Sequence, residues 1–257
     1  MLRTIDLNGV KTAYAVTGSG APIVLAHGAT TDLTVFDNFA RLLAPHYTVI
    51  SYDQRDSGRT TNAPEPYTVL DLADDAAALI GALGYGKAHF VGVSLGGVIA
   101  QALAVRRPER VDRAVMVFTY RIGESLAALS PDVAPKLRAL AADREKNARA
   151  MAAMFMPEDE ITPEIVTSFR HRANTPEQGA RRAPLVGPCE RLDLAKITVP
   201  TAVVAGAADT LIPLPHAKSL AAEIPGAKLT VLDGVGHYGT MQAPERTARA
   251  VLDALAG

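Results

Sequence analysis

The sequence predicts an α/β architecture: a mostly parallel sheet with helices on both faces, interrupted by a helical insert that lies outside the sheet. Three observations predict it. Short continuous apolar runs such as Ile23–Ala26 and Ala88–Val93 have the composition of strands buried on both faces. These runs alternate with stretches of helical periodicity, the pattern of parallel strands joined by crossover helices. The alternation stops between about residues 121 and 196, where helices and loops follow one another without a convincing strand, and then resumes.

In chain order, Leu2–Leu7 and Thr12–Thr17 read as strands flanking Asn8-Gly9, a hairpin signal. Ser19-Gly20-Ala21-Pro22 is a turn, and Ile23–Ala26 the first buried strand. A helix is expected around Val35–Ala44 and a strand over Tyr47–Tyr52. Leu70–Leu83 is apolar at helical spacing and stops at Gly84, a C-cap residue. Ala88–Val93 is a strand, Leu95–Arg106 a helix and Arg113–Thr119 a strand. Inside the insert, Pro135–Met156 and Pro163–Arg172 are the helix candidates. Alternation returns with Thr201–Ala205, His216–Ile224, Lys228–Leu232 and Pro244–Leu255. Residues 1–120 and 197–257 are therefore expected to form the core, and 121–196 a cap over one end of the sheet.

The totals exclude several classes. The chain has 257 residues, 48% hydrophobic, enough to bury a large core. With 26 basic and 27 acidic residues the net charge is −1, so nothing favours nucleic acid or an anionic membrane. Cys189 is the single cysteine, which rules out an intrachain disulfide and a multi-cysteine metal site. The N-terminal MLRTIDLNGVKTAY has no apolar stretch of signal-peptide length, and no run of about 18 apolar residues occurs anywhere. The expected location is the cytoplasm, and the oligomeric state, a homo-oligomer included, is open.

Parallel sheets bind ligands beyond the carboxyl ends of their strands. There the sequence places FVGVSLGGVIAQ, residues 90–101, with Ser94 between a strand and a helix. Serine is a favoured N-cap and needs no other role to stand there. A cap, however, does not require Gly92 or Gly96, whereas a strained turn that holds up a nucleophile does. The helix N-terminus also favours negative charge beside Ser94.

A serine hydroxyl needs a base. Of the six histidines, His46, His89, His171 and His216 carry no supporting pattern. His237, in LDGVGHYGTMQAPE, is expected on a loop after a strand, at the same sheet edge as Ser94. A carboxylate that fixes the histidine tautomer is the third need. Asp209, in VVAGAADTLIP, follows the strand Thr201–Ala205; Asp233 and Glu124 are weaker competitors. For the oxyanion, the N–H of Leu95 is one donor. The loop HGATTD after Ile23–Ala26 supplies the other, assigned to Ala29, with Gly28 giving the tight turn and His27 a structural part.

HG at 27–28, YDQRDSGRT at 52–60, GVSLGG at 92–97, VVAGAADTLIP at 203–213 and GVGHYGTMQAPE at 234–245 together resemble the α/β-hydrolase superfamily nearly end to end. The resemblance implies an eight-stranded sheet with a helical cap after the sixth strand. AHFVGVSLGG, ITPEIVTSFRHRANTPEQGA and LAKITVPTAVVAGAADTLIP are similar to the 3-oxoadipate enol-lactonase-like and cofactor-free haloperoxidase-like group. Two departures stand out. Arg55-Asp56-Ser57-Gly58 replaces the usual R-G-x-G of that group, a version also seen in esterases resembling anthracycline methylesterases. There is also no Trp, although caps of these enzymes often use one.

The expected activity is a serine hydrolase cleaving a carboxylic ester or lactone through an acyl-enzyme, with no metal or organic cofactor. Catalysis is assigned to Ser94, Asp209 and His237, and the oxyanion to Ala29 and Leu95. The same residues serve C–C bond hydrolysis of a meta-cleavage product, or perhydrolysis. A third reading is a non-catalytic ligand receptor. For the pocket, Leu126, Leu129, Met151, Met154, Phe155 and Met156 are apolar candidates, most of them better read as cap core. Arg170, Arg172, Arg181 and Arg182 could meet a substrate carboxylate, but a solvated face is the simpler expectation.

Overall fold

The structure, a computed structural model, describes residues 2–257. Eight strands form one sheet: β1 Leu2–Leu7, β2 Val10–Gly18, β3 Pro22–Ala26, β4 Thr48–Tyr52, β5 Ala88–Val93, β6 Val111–Val117, β7 Thr201–Gly206 and β8 Lys228–Leu232. Their order across the sheet is β1-β2-β4-β3-β5-β6-β7-β8. β2 runs antiparallel to β1 and β4, and every other neighbouring pair is parallel. Asn8 and Gly9 join β1 to β2 with φ of 51° and 77°, as a two-residue hairpin turn of the primed type requires.

The helices are α1 Asp37–Leu43, α2 Val69–Ala82, α3 Leu95–Arg106, α4 Leu126–Leu129, α5 Val133–Ala141, α6 Arg144–Ala152, α7 Pro163–Arg170, α8 Pro176–Arg182, α9 Leu214–Glu223, α10 Gly239–Gln242 and α11 Pro244–Ala256. Alternate strand residues feed two cores. Val24, Phe90, Met116 and Val203 pack with α2, α3 and α9. Ile23, Val91, Val115 and Val204 pack on the other face with Phe39 and Leu43 of α1 and Val251 and Leu255 of α11. Because both faces are covered, the central strands carry no polar side, and their sequences read as unbroken apolar runs. No helix among the described residues is long and apolar enough to cross a membrane.

The differences from expectation have local causes. β6 starts at Val111 and ends at Val117, two residues before the expected limits. Beyond it, Phe118 takes φ 47°, which breaks the strand. The single helix expected over Pro135–Met156 is two helices, α5 and α6. Asp143 separates them and caps α6 by accepting from the Lys146 N–H at 3.2 Å. α8 was not among the expected helices. Its signal is Thr175-Pro176-Glu177-Gln178, a capping box in which Thr175 and Gln178 satisfy each other's backbone N–H. Helices α4 to α8 all fall between β6 and β7.

Candidate active site

Ser94 stands at the turn between β5 and α3 with φ 55° and ψ −117°, a conformation that a non-glycine residue adopts only under constraint. The constraints are visible. The Ser94 N–H donates to the Val117 carbonyl at 3.0 Å. Its carbonyl accepts from the Thr119 hydroxyl at 2.6 Å and from the Gly97 N–H at 2.8 Å. Although Ser94 occupies the N-cap position, its side chain makes no capping bond. The hydroxyl instead lies 3.2 Å from Nε2 of His237.

His237 follows β8. The loops after β7 and β8 are stitched together by the Ala207 N–H on the Leu232 carbonyl and the Ala208 N–H on the Val235 carbonyl. Gln242 braces the second loop, accepting from the Gly236 N–H at 2.8 Å and donating to the Gly234 carbonyl at 3.1 Å. Nδ1 of His237 lies 2.9 Å from Oδ2 of Asp209. The other oxygen of Asp209 accepts from the Leu211 and Ile212 N–H groups at 2.9 and 2.8 Å, which aims Oδ2 at the ring. This network assigns the proton to Nδ1 and leaves the Nε2 lone pair facing the Ser94 hydroxyl. Both Asp209 and His237 are buried. The competitor Asp233 is exposed and points its carbonyl, not its carboxylate, into a hydrogen bond with Arg246.

The N–H groups of Ala29 and Leu95 meet no protein acceptor among the described residues. Gly28 has no left-handed φ. Its lack of a side chain instead keeps space open beside the serine, because a Cβ there would sit 3.6 Å from Ser94 Cβ. His27 is wholly buried. Its Nδ1 donates to the Gly28 carbonyl at 2.8 Å and its Nε2 accepts from the Gln54 N–H at 3.3 Å. Burial, helped by the Arg182 charge, pulls its pKa down to about 3, so it is neutral.

The Arg55–Gly58 loop explains its own departure from R-G-x-G. Asp56 takes φ 55°, a conformation suited to glycine. Its carboxylate instead receives both Nε and Nη2 of Arg181, at 2.8 and 2.6 Å. Asn174 also donates to the Asp56 carbonyl, and the Gly58 N–H donates to the Ala173 carbonyl at 2.8 Å. The insert is thus moored to this loop. Of the four arginines considered for substrate binding, Arg170 and Arg172 are exposed, Arg181 is paired, and Arg182 is 2% exposed. None of the four lines a cavity of the site.

Asp53, beneath the loop, accepts from the Leu33 and Arg59 N–H groups, each at 2.8 Å. Burial nonetheless raises its pKa to about 6. The folded protein therefore holds a proton there that the unfolded chain releases near pH 4. The resulting stabilisation is full below about pH 4 and is lost as pH rises through about 6. A plot of Tm against pH should fall across that window, and Asp53→Asn should flatten it. An unchanged slope in the variant would refute the assignment.

A cavity of about 90 Å³ adjoins Ser94 and His237, with apolar walls from Leu126, Leu137, Phe155, Val186 and Leu211. A cleft of about 770 Å³ shares Thr30, Thr31, Val35, Tyr238 and Thr240 with it and extends between α1 and α7. Of the apolar candidates from sequence, Leu126 and Phe155 line the small cavity, while Met151 and Met156 are core. In place of a tryptophan, Phe155 stacks on Phe169 and Tyr238 packs tilted against both beside His237, with Phe155 6.0 Å from the imidazole ring. No group of three or more His, Cys, Asp or Glu side chains could hold a metal ion among the described residues.

Comparison with known proteins agrees with this fold. The model of the alpha/beta hydrolase family matches residues 23–250. The chain belongs to that family. It is 32% identical to rhodomycin D methylesterase DauP of Streptomyces sp. (strain C5), over 90% of this chain and 89% of that one. Among solved structures it is similar to a hydrolase from Pseudomonas aeruginosa PA01, with a TM-score of 0.83 and 31% identity over 100% of this chain and 98% of that one. It is likewise similar to the enol-lactonase from Burkholderia xenovorans LB400, with a TM-score of 0.82 and 26% identity over 99% and 100%.

Proposed function

We propose that this chain is a serine hydrolase of carboxylic esters or lactones that works through an acyl-enzyme. The observation that carries the reading is the unbroken chain from Ser94 Oγ to His237 Nε2, at 3.2 Å, and from His237 Nδ1 to Asp209 Oδ2, at 2.9 Å. Ser94 Oγ bonds to the carbonyl carbon as its proton passes to His237 Nε2. Asp209 holds the imidazolium that results. The carbonyl oxygen becomes an oxyanion held by the Ala29 and Leu95 N–H groups. Collapse breaks the bond to the leaving oxygen, which takes the proton from His237. Water then gives a proton to His237 and attacks the acyl carbon. The Ser94 ester breaks, the acid leaves, and Ser94 recovers its proton.

The segment 121–196 is read as a cap that closes this site. The unequal cavities support a substrate that is asymmetric about its carbonyl. The small one has room for about three waters, enough for a short apolar group. The cleft suits a large group that hydrogen-bonds with hydroxyls such as Thr30, Thr162 and Ser168. The methylesterase and enol-lactonase names of two relatives favour such acyl chemistry.

The test is turnover of p-nitrophenyl acetate and butyrate, and of methyl, butyl and benzyl esters of one bulky acid. Ser94→Ala is expected to abolish turnover to near background, and the methyl ester should outpace the benzyl ester. Undiminished turnover in Ser94→Ala would sink the reading.

A further inference from the structure

We propose that Arg182, supplied by the inserted segment, is a positioning residue that aims and polarises the oxyanion donor of Ala29. The inference rests on the acyl-transfer reading above. Arg182 reaches across from the end of α8 to the loop after β3. Its Nε donates to the Ala29 carbonyl at 2.9 Å, and its Nη2 lies 3.5 Å from the Gly28 carbonyl. The remaining donors go to the Arg55 carbonyl at 2.6 Å and Gln54 Oε1 at 2.8 Å. Gln54 in turn donates to the His27 carbonyl at 2.8 Å, and His27 donates to the Gly28 carbonyl. These bonds hold three successive peptide groups, from His27 to Thr30, and the central one, linking Gly28 to Ala29, carries the Ala29 N–H.

That peptide decides the oxyanion geometry. In a trans peptide the C=O and the N–H point in opposite directions. Holding the Gly28 oxygen toward His27 and Arg182 therefore turns the Ala29 N–H the other way. Ser94 lies close by, since a Cβ on Gly28 would come within 4.0 Å of its hydroxyl. A cation on the carbonyl side also polarises the peptide and makes its N–H a stronger donor, because hydrogen bonds in series reinforce one another.

The charge itself points to this use. Arg182 is 2% exposed, and all four of its acceptors are neutral. Asp56, the carboxylate whose charge acts on it, is already taken by Arg181. Burial accordingly lowers the pKa of the guanidinium. A buried cation without a carboxylate is costly. It becomes better compensated when negative charge develops at the oxyanion. A simple tie between insert and core would not need a cation here, and the neighbouring Arg181–Asp56 pair already makes that tie.

The test compares Arg182→Met and Arg182→Lys with wild type on p-nitrophenyl acetate. The readouts are kcat, KM, Tm, and inhibition by a short alkyl trifluoromethyl ketone, which forms a tetrahedral oxyanion adduct. For Arg182→Met, kcat is expected to fall on the order of 30- to 100-fold with KM within about three-fold, less than loss of a whole oxyanion donor. Ketone affinity should weaken by the same factor as kcat/KM, and Arg182→Lys should recover most of both. Wild-type kcat in folded Arg182→Met overturns the proposal. So does a loss in which ketone affinity stays unchanged while Tm and kcat fall together. If Arg182→Met does not fold, the lysine variant decides: its ketone affinity must track its kcat/KM. These results are distinct from failure of the acyl-transfer reading, which would appear as wild-type turnover that does not need Ser94.

Discussion

Replacing His237 with alanine is expected to lower kcat on an activated ester roughly 10⁴-fold or more, with KM changed little. The loss is large because the ring has two tasks that no neighbour can assume. Its Nε2 is the only base within hydrogen-bond reach of Ser94 among the described residues, and its Nδ1 connects that base to a fixed carboxylate. Residual activity should remain above the uncatalysed rate, because the Ala29 and Leu95 donors are untouched. Asp209 and the loop braces stay in place, so Tm should shift far less than kcat. A variant that keeps more than a tenth of wild-type kcat would contradict the assignment of the base.

Gly96→Ala is expected to lose both activity and much of the folded protein. A Cβ at Gly96 would lie 2.0 Å from the Ala26 carbonyl oxygen and 2.6 Å from the Ala26 carbonyl carbon. Both are backbone atoms of β3, so no rotamer change relieves the clash. Gly92 faces the same turn from the other side, where a Cβ would stand 2.0 Å from the Gly96 carbonyl oxygen. Overpacking of this kind costs about 3 kcal/mol or more when only backbone can move. The measurement is Tm and soluble yield alongside kcat. A variant with wild-type Tm would show that the elbow is looser than these distances require.

These contacts explain why the elbow was legible in the sequence. Glycines two residues either side of Ser94 are a steric demand that a capping serine does not make. The strands were legible for an equally local reason: Val24, Phe90 and Met116 face one core and Ile23, Val91 and Val115 the other, so residue type alone marks a doubly buried strand. Asp209 was readable because it follows such a strand, β7, whereas His237 follows the edge strand β8, where Lys228, Thr230 and Val231 are exposed and the loop glycines carry the signal. The eight-stranded sheet followed from the resemblance and matches the eight strands found.

What was not legible depends on contacts between segments far apart in the chain. Arg182 is an arginine beside another arginine, and residue type predicts that both face solvent. Only the fold brings it to Ala29, 153 positions away. Asp56 looked like an irregular motif until Arg181, 125 positions on, came into view. The pocket walls Leu137 and Val186 sit on short insert segments whose periodicity is too brief to separate core from cavity. Thr119, which clamps the Ser94 carbonyl, has no local signal at all.

The central claim is that an acyl group passes through Ser94. The most direct test is to mix the protein with a p-nitrophenyl ester, quench during turnover, digest and read peptide masses. The account predicts an acyl mass increment on the peptide carrying Ser94, formed within the first turnover and lost in step with acid release. An increment on a different residue, or steady turnover with Ser94 never modified, would contradict it.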